Sequence, residues 1–147
     1  MTPAETITRK LKARIEESGA TVQVVSLLLE ALEGAKHKAP SSGIGLNVHL
    51  ERQLTEAIPL YQFTATAILT VSIDDDKGGQ IFKANHDAVW AAFDFLARAD
   101  NCAELGCEGV SADGFEMDEG EPPQFSDDGG GGSWTTTFSA TVTGRAN

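Results

Sequence analysis

The chain has 147 residues, is 41% apolar and carries 22 Asp and Glu against 11 Lys and Arg, a formal net charge of −11; this predicts one domain, residues 1–147, with a packed core rather than a disordered chain. Residues 1–52 are nearly balanced at +1, residues 53–147 sum to −12, and no Lys or Arg falls between Ala99 and Gly144, where ten acids do. Such a surface excludes sequence-specific nucleic-acid binding and docking on an anionic membrane, both of which rest on clustered Lys and Arg, and no apolar run approaches the roughly 20 residues that span a bilayer.

Thr2-Pro3-Ala4-Glu5 reads as a helix start: a capping hydroxyl, Pro at the first helical position and an acid in the first turn. Ala4, Ile7, Leu11 and Ile15 then share one side, with Arg9, Lys10, Lys12, Glu16 and Glu17 largely elsewhere, which predicts an amphipathic helix ended by Ser18-Gly19. This segment mixes charges with isolated apolar residues and lacks the uninterrupted apolar stretch of a signal peptide. Thr21 to Glu33 is two-sided: Thr21–Val25 is β-branched and favours a strand, while Leu27–Glu33 favours a helix. Together they predict a short strand followed by a helical turn. Lys36 to Gly43, with Pro40 and two serines, reads as a loop.

Ile44, Leu46, Val48 and Leu50 alternate with Gly45, Asn47 and His49, a half-buried strand. Leu60 to Ile73 is the clearest element. Tyr61, Phe63, Ala65, Ala67, Leu69, Val71 and Ile73 take one face; Gln62, Thr64, Thr66, Thr70 and Ser72 take the other, with Ile68 the exception. Fully extended it would reach about 45 Å, far beyond the usual five or six residues. The connection from Gln53 to Pro59 makes an antiparallel pair natural. After the polar turn Asp74–Gly79, Gln80 to Ala99 reads as a second helix with a wide apolar stripe: Ile81, Ala84, Ala88, Ala92, Phe95 and Ala99, broadened by Val89, Trp90, Phe93 and Leu96. Val110 suggests a short strand and Phe115 with Met117 another. Met117 to Ser133 reads as an acidic, Gly-rich loop, and Trp134 to Thr143 as a final half-buried strand. The order predicts an α+β fold: an antiparallel or mixed sheet with long central strands, packed by two helices on one face.

These elements carry no catalytic constellation and no cofactor motif. Cys102 and Cys107 are spaced Cys-x4-Cys without a second Cys/His pair, so they read as separate packed or surface thiols rather than a zinc site, although Glu104, Glu108 and His86 could add ligands. Two cysteines make no disulfide framework, and the simplest setting is a soluble protein in a reducing cytosol. His37, His49 and His86 are scattered, and His86-Asp87 are neighbours on a helix, where adjacent side chains diverge. Asp74-Asp75-Asp76 does not make the D-x-D-x-D-G motif with a Glu at position twelve of a calcium loop and reads as a solvated turn. Gly129–Gly132 has neither the Lys-Ser/Thr nor the following helix of a phosphate loop and reads as a hinge. Trp90 and Trp134 read as core anchors, one of which could cap a sheet edge. The acids Asp118, Glu119, Glu121, Asp127 and Asp128 stand out as a candidate interaction surface. A second use of the same acids keeps an alternative open, a small-ligand or metal-binding α+β domain.

The layout as a whole resembles the tail terminator and minor tail proteins of long-tailed bacteriophages and prophages. The residues that carry it are an N-terminal amphipathic helix, a loop with Ala39-Pro40, the strand Ile44–Leu50 and the long strand Leu60–Ile73. A helix containing Ala88–Leu96, an acidic loop and a Trp-headed last strand ending in Val142-Thr-Gly-Arg145 complete it. The resemblance covers most of the chain and implies a non-enzymatic structural subunit. Six copies would form a ring that caps the finished tail tube and contributes to head–tail joining. The implied partners are other copies, the tail tube and head–tail connector proteins, and the implied location is the bacterial cytoplasm and then the virion tail. In such a ring the basic-free acidic loop would suit a lumen that DNA crosses without sticking, since like charge repels the backbone.

Overall fold

The computed structural model describes residues 3–25, 43–53, 61–74, 76, 78–118, 122–126 and 132–146. In chain order these form α1 (Pro3–Glu16), β1 (Val22–Val24), β2 (Gly43–Gln53), β3 (Tyr61–Ile73), α2 (Gln80–Ala97), a 3₁₀ helix (Asn101–Leu105), β4 (Val110–Asp118), β5 (Gln124–Ser126) and β6 (Ser133–Ala146). The six strands make one sheet in the order β1-β2-β3-β6-β4, with β5 also paired to β6. β1 runs parallel to β2 and every other pairing is antiparallel, so the sheet is mixed and the fold is α+β.

The period-two pattern of β3 is realised along its length. Phe63, Ala65, Ala67, Leu69, Val71 and Ile73 are all buried, and they join Ile44 and Leu46 of β2 and Ala140 and Val142 of β6 in one core cluster. α1 contributes Ile7, Leu11 and Ile15, each fully buried; α2 contributes Phe82, Val89, Ala92, Phe93 and Leu96. Covering each large side chain is worth about 1.5–3 kcal/mol, so the helices are held by their stripes. α1 leans on β2 and on α2, while α2 crosses β3, β4 and β6. Among the described residues, both helices therefore cover one face and no helix covers the other.

Several sequence expectations are corrected. The second helix stops at Ala97, because Arg98 is extended and Ala99 has φ 47°, outside the helical region. Its buried stripe is Phe82, Ala88, Val89, Ala92, Phe93 and Leu96, displaced from the expected one. Ile81 is 56% and Trp90 51% exposed, so Trp90 is not a core anchor. Val110, Phe115 and Met117 belong to one nine-residue strand, interrupted by a register shift between Ala112 and Gly114 that restores the inward direction of Phe115. Within the expected loop 117–133, Gln124–Ser126 pairs with Ser133–Thr135 as a strand. The expected strand at 21–25 is present as β1, whereas the helical turn after it, the loop 36–42 and Gly129–Gly131 lie outside the described residues.

The turn into α2 is built rather than merely solvated. Asp74 is exposed, but Asp76 is buried, and its Oδ2 accepts the Phe82 backbone N–H at 2.8 Å. This satisfies one of the first-turn donors left without an intrahelical partner. Its main chain is fixed too: the Asp76 N–H donates to the Gly132 carbonyl at 3.0 Å, and the Asp76 carbonyl accepts from the Gly79 N–H at 3.0 Å. Gly79 (φ 70°) supplies the left-handed residue at the helix entry. Asp75 and Lys77 lie outside the described residues.

Candidate functional site

The face left open by the helices carries the polar half of each long strand. β3 and β6 pair over thirteen positions, from Tyr61 with Ala146 to Ile73 with Trp134. On the open side this register sets Thr64 beside Thr143, Thr66 beside Thr141, Ile68 beside Ser139 and Thr70 beside Thr137. β-branched Thr is favoured on a pleated, half-buried surface, so the ladder both stiffens the central pair and presents hydroxyls and methyls outward. β2 adds Glu51, His49 and Asn47 next to Thr64, Thr66 and Ile68. Ile68, 43% exposed, is the apolar point in an otherwise polar surface.

Acids line the far border. Glu116 and Asp118 of β4 pair with Thr141 and Ser139 and are exposed, while Phe115 turns into the core. Asp118 Oδ2 accepts the Thr141 hydroxyl at 3.1 Å and lies 3.5 Å from the Ser139 hydroxyl. Asp113, at the register shift, accepts from Arg145 Nε at 3.2 Å and from the Ser111 hydroxyl at 3.0 Å. Of the five acids singled out by sequence, Asp118 thus sits on the rim of the open face. Glu119, Glu121, Asp127 and Asp128 lie outside the described residues.

Other candidates resolve individually. Cys102 is buried and Cys107 exposed, and neither is in a disulfide; burial raises the Cys102 thiol above its ordinary range. The Cys107 sulfur lies 3.6 Å from the Thr6 hydroxyl. His86 and Asp87 do not diverge as far as expected: Nδ1 of His86 is 3.4 Å from Oδ1 of Asp87, a long contact, while the imidazole packs against Phe82 and Phe138. Among the described residues, no group of three or more His, Cys, Asp or Glu comes together as a metal cage, and no helix is long and apolar enough to cross a membrane.

Two tethers were not evident from the sequence. Arg14 of α1 clasps Glu104 of the 3₁₀ helix through two nitrogens, Nε to Oε2 at 2.7 Å and Nη2 to Oε1 at 2.5 Å, with its guanidinium carbon 4.0 Å from the Phe95 ring centroid. Glu104 holds the guanidinium above its ordinary pKa. Trp134 packs between Phe82 and Phe125. Neither partner is near in sequence, so no local pattern marks them. The exposure of Trp90 did carry a local signal: Asp87 and Asp94 flank it at helical spacing, which marks an outward face.

A scan against protein-family models gives no match for the chain, and a search of curated proteins gives none either.

Proposed function

We propose that this chain is a structural subunit of a long-tailed phage or prophage tail, a ring-forming terminator or tail-completion protein that caps the tail tube and contributes to head–tail joining. The observation that carries this reading is the pair of long central strands with both described helices on one face and, among the described residues, a hydroxyl-rich face with no helix on it. That architecture is the kind the layout resemblance implies. The reading assigns the chain no catalysis. Its partners are further copies of itself, tube subunits and connector proteins. In the ring each copy uses two different patches, the arrangement that closes on itself when the rotation between neighbours divides a full turn.

The acidic border has a place in this reading. DNA leaving a head through a tail must not stick to what it passes, and carboxylates along the passage repel phosphates. We assign Asp118, with Glu119, Glu121, Asp127 and Asp128, to the surface that faces that passage.

The test is assembly with tail tubes. The purified chain is mixed with tubes and viewed by negative-stain electron microscopy, with light scattering on a sizing column reporting the mass of the free chain. A ring-sized density at one tube end supports the reading. Tubes that stay bare, together with a free chain that remains monomeric at every concentration, overturn it.

A further inference from the structure

The outer flank of α2 carries a large apolar side chain with no cover. Trp90 is 51% exposed, and Asp87, Trp90, Ala91 and Asp94 line a shallow concavity beside it. Aromatic side chains left at a surface in this way are the commonest anchors of protein interfaces. Among the described residues, the two carboxylates pair with near neighbours in sequence, Asp87 with Lys83 on the same helix at 2.7 Å and Asp94 with Arg98 just past its end at 2.9 Å. His86 approaches Asp87 as well. Exposed pairs at this spacing contribute little and exchange readily. An indole face between two carboxylates suits an incoming guanidinium or ammonium, which stacks on the ring while its donors reach the acids.

The chain carries the complement. Among the described side chains, Lys12, Arg14, Lys83, Arg98 and Arg145 all sit in ion pairs. Arg9 and Lys10, adjacent and exposed on α1, are the described Lys and Arg side chains that do not. They cannot easily serve Trp90 of their own chain. α1 meets α2 on the Phe95 side, where Arg14 lies over the ring. Trp90 approaches Phe138 of β6 instead. Five residues separate Phe95 from Trp90, about 140° around the helix, so the indole faces away from the flank of α2 that meets α1, the helix that carries the two cations.

We infer that copies of this chain join head to tail, with Arg9 of one copy stacked on Trp90 of the next and its Lys10 at the carboxylates Asp87 and Asp94. The inference rests on the ring reading above for the expectation that copies associate, and it names the contact that joins them. Because the two patches differ and lie on different helices, each copy offers one of each, which is what a closed ring or an open filament requires.

The test follows the mass of the full chain by sedimentation velocity at low and high salt. Trp90→Ala is expected to weaken self-association by about 30-fold or more, and salt to weaken the wild type. R9E/K10E and D87K/D94K should each be monomeric alone, because like charges then meet at every joint. Mixed one to one they should assemble again, since each reversed patch now faces its opposite. That rescue also proves both variants folded. Trp90→Ala and both charge reversals assembling like the wild type would leave the ring standing and overturn this contact. So would a mixture that stays monomeric while both variants keep the wild-type melting curve. A wild-type chain that is monomeric at all concentrations and salts would overturn the contact, and only with tubes that also stay bare would it overturn the ring as well.

Discussion

The indole Nε1 of Trp134 donates to the main-chain carbonyl of Asp76 at 2.9 Å, pinning the start of the last strand to the turn that launches α2. Phe82 stacks on the same indole with ring centroids 5.5 Å apart, and Phe125 of β5 approaches at 4.9 Å. A Cβ placed on Gly79 would stand 3.3 Å from the ring. One side chain therefore joins the helix entry, the short edge strand and the central strand. Trp134→Ala should cost about 3 kcal/mol, in the range of large-to-small aromatic losses. Trp134→Phe should cost about 1 kcal/mol, because the stack is kept while the Asp76 carbonyl retains the Gly79 N–H. Urea unfolding followed by circular dichroism measures both; equal losses would show that the hydrogen bond, not the ring stack, dominates.

Gly144 is where β6 makes room for Phe63. A Cβ there would overlap the Ser111 carbonyl and come within 2.7 Å of the Phe63 ring. Backbone on one side and a buried ring on the other leave nothing that can yield cheaply. Gly144→Ala is expected to destabilise by more than about 3 kcal/mol. The double variant Gly144→Ala/Phe63→Leu should recover part of that loss, because the ring clash is gone and the carbonyl clash remains. No recovery in thermal melts would place the whole cost on the β4–β6 pairing.

Glu16 gives the stability a specific acid dependence. Its carboxylate accepts the Val22 backbone N–H at 3.1 Å and, on the other oxygen, Lys12 Nζ at 3.1 Å. These hold it below the usual carboxylate range, the Val22 bond first. A carboxyl whose folded value lies below its unfolded value, about 4.3 for Glu, stabilises fully above that unfolded value. The contribution is lost as pH falls through the folded value. Glu16→Gln should therefore melt below the wild type at pH 7, and the gap should close below about pH 4. Calorimetry from neutral pH down into the acid range reads this directly; a gap that stays constant would mean that the carboxylate's charge plays no part.

Neutralising the acidic set Asp118→Asn, Glu119→Gln, Glu121→Gln, Asp127→Asn and Asp128→Asn should leave the melting temperature within a few degrees of the wild type. The amide introduced by Asp118→Asn would keep an oxygen for the Thr141 hydroxyl, whose hydrogen bond the Asp118 carboxylate now accepts. Assembly with tail tubes, or DNA passage through them, should change. Loss of the fold instead would make these residues structural and remove their assignment to a DNA passage.

Long-range alternation made β2, β3 and β6 legible from the sequence, because a period of two over many residues has no helical counterpart. Ile7, Leu11 and Ile15 marked α1 for the same reason at helical spacing. What local pattern does not carry is tertiary. The α2 stripe rotated because Phe82, placed by the Asp76 cap, is seated against Trp134, and this turns Ile81 outward. β4 read as two fragments because the register shift after Ala112 breaks its alternation. β5 is three exposed residues whose partner, Trp134, is distant from the local pattern. Asp118 was found by charge, but its seat against Thr141 follows from strand register that composition does not carry.

The placement of β6 has a kinetic meaning. It lies between β3 and β4 and also holds β5, yet its residues, Ser133–Ala146, are the last of these to be synthesised. A β2–β3 hairpin can close early, since its partners are near in sequence. The inner edge of β3 must then wait through α2 and β4 with its backbone donors and acceptors unpaired. Folding of this chain is therefore expected to be late and slow, dominated by one distant closure. Until that strand arrives, β3 is the segment most exposed to mispairing with other nascent chains.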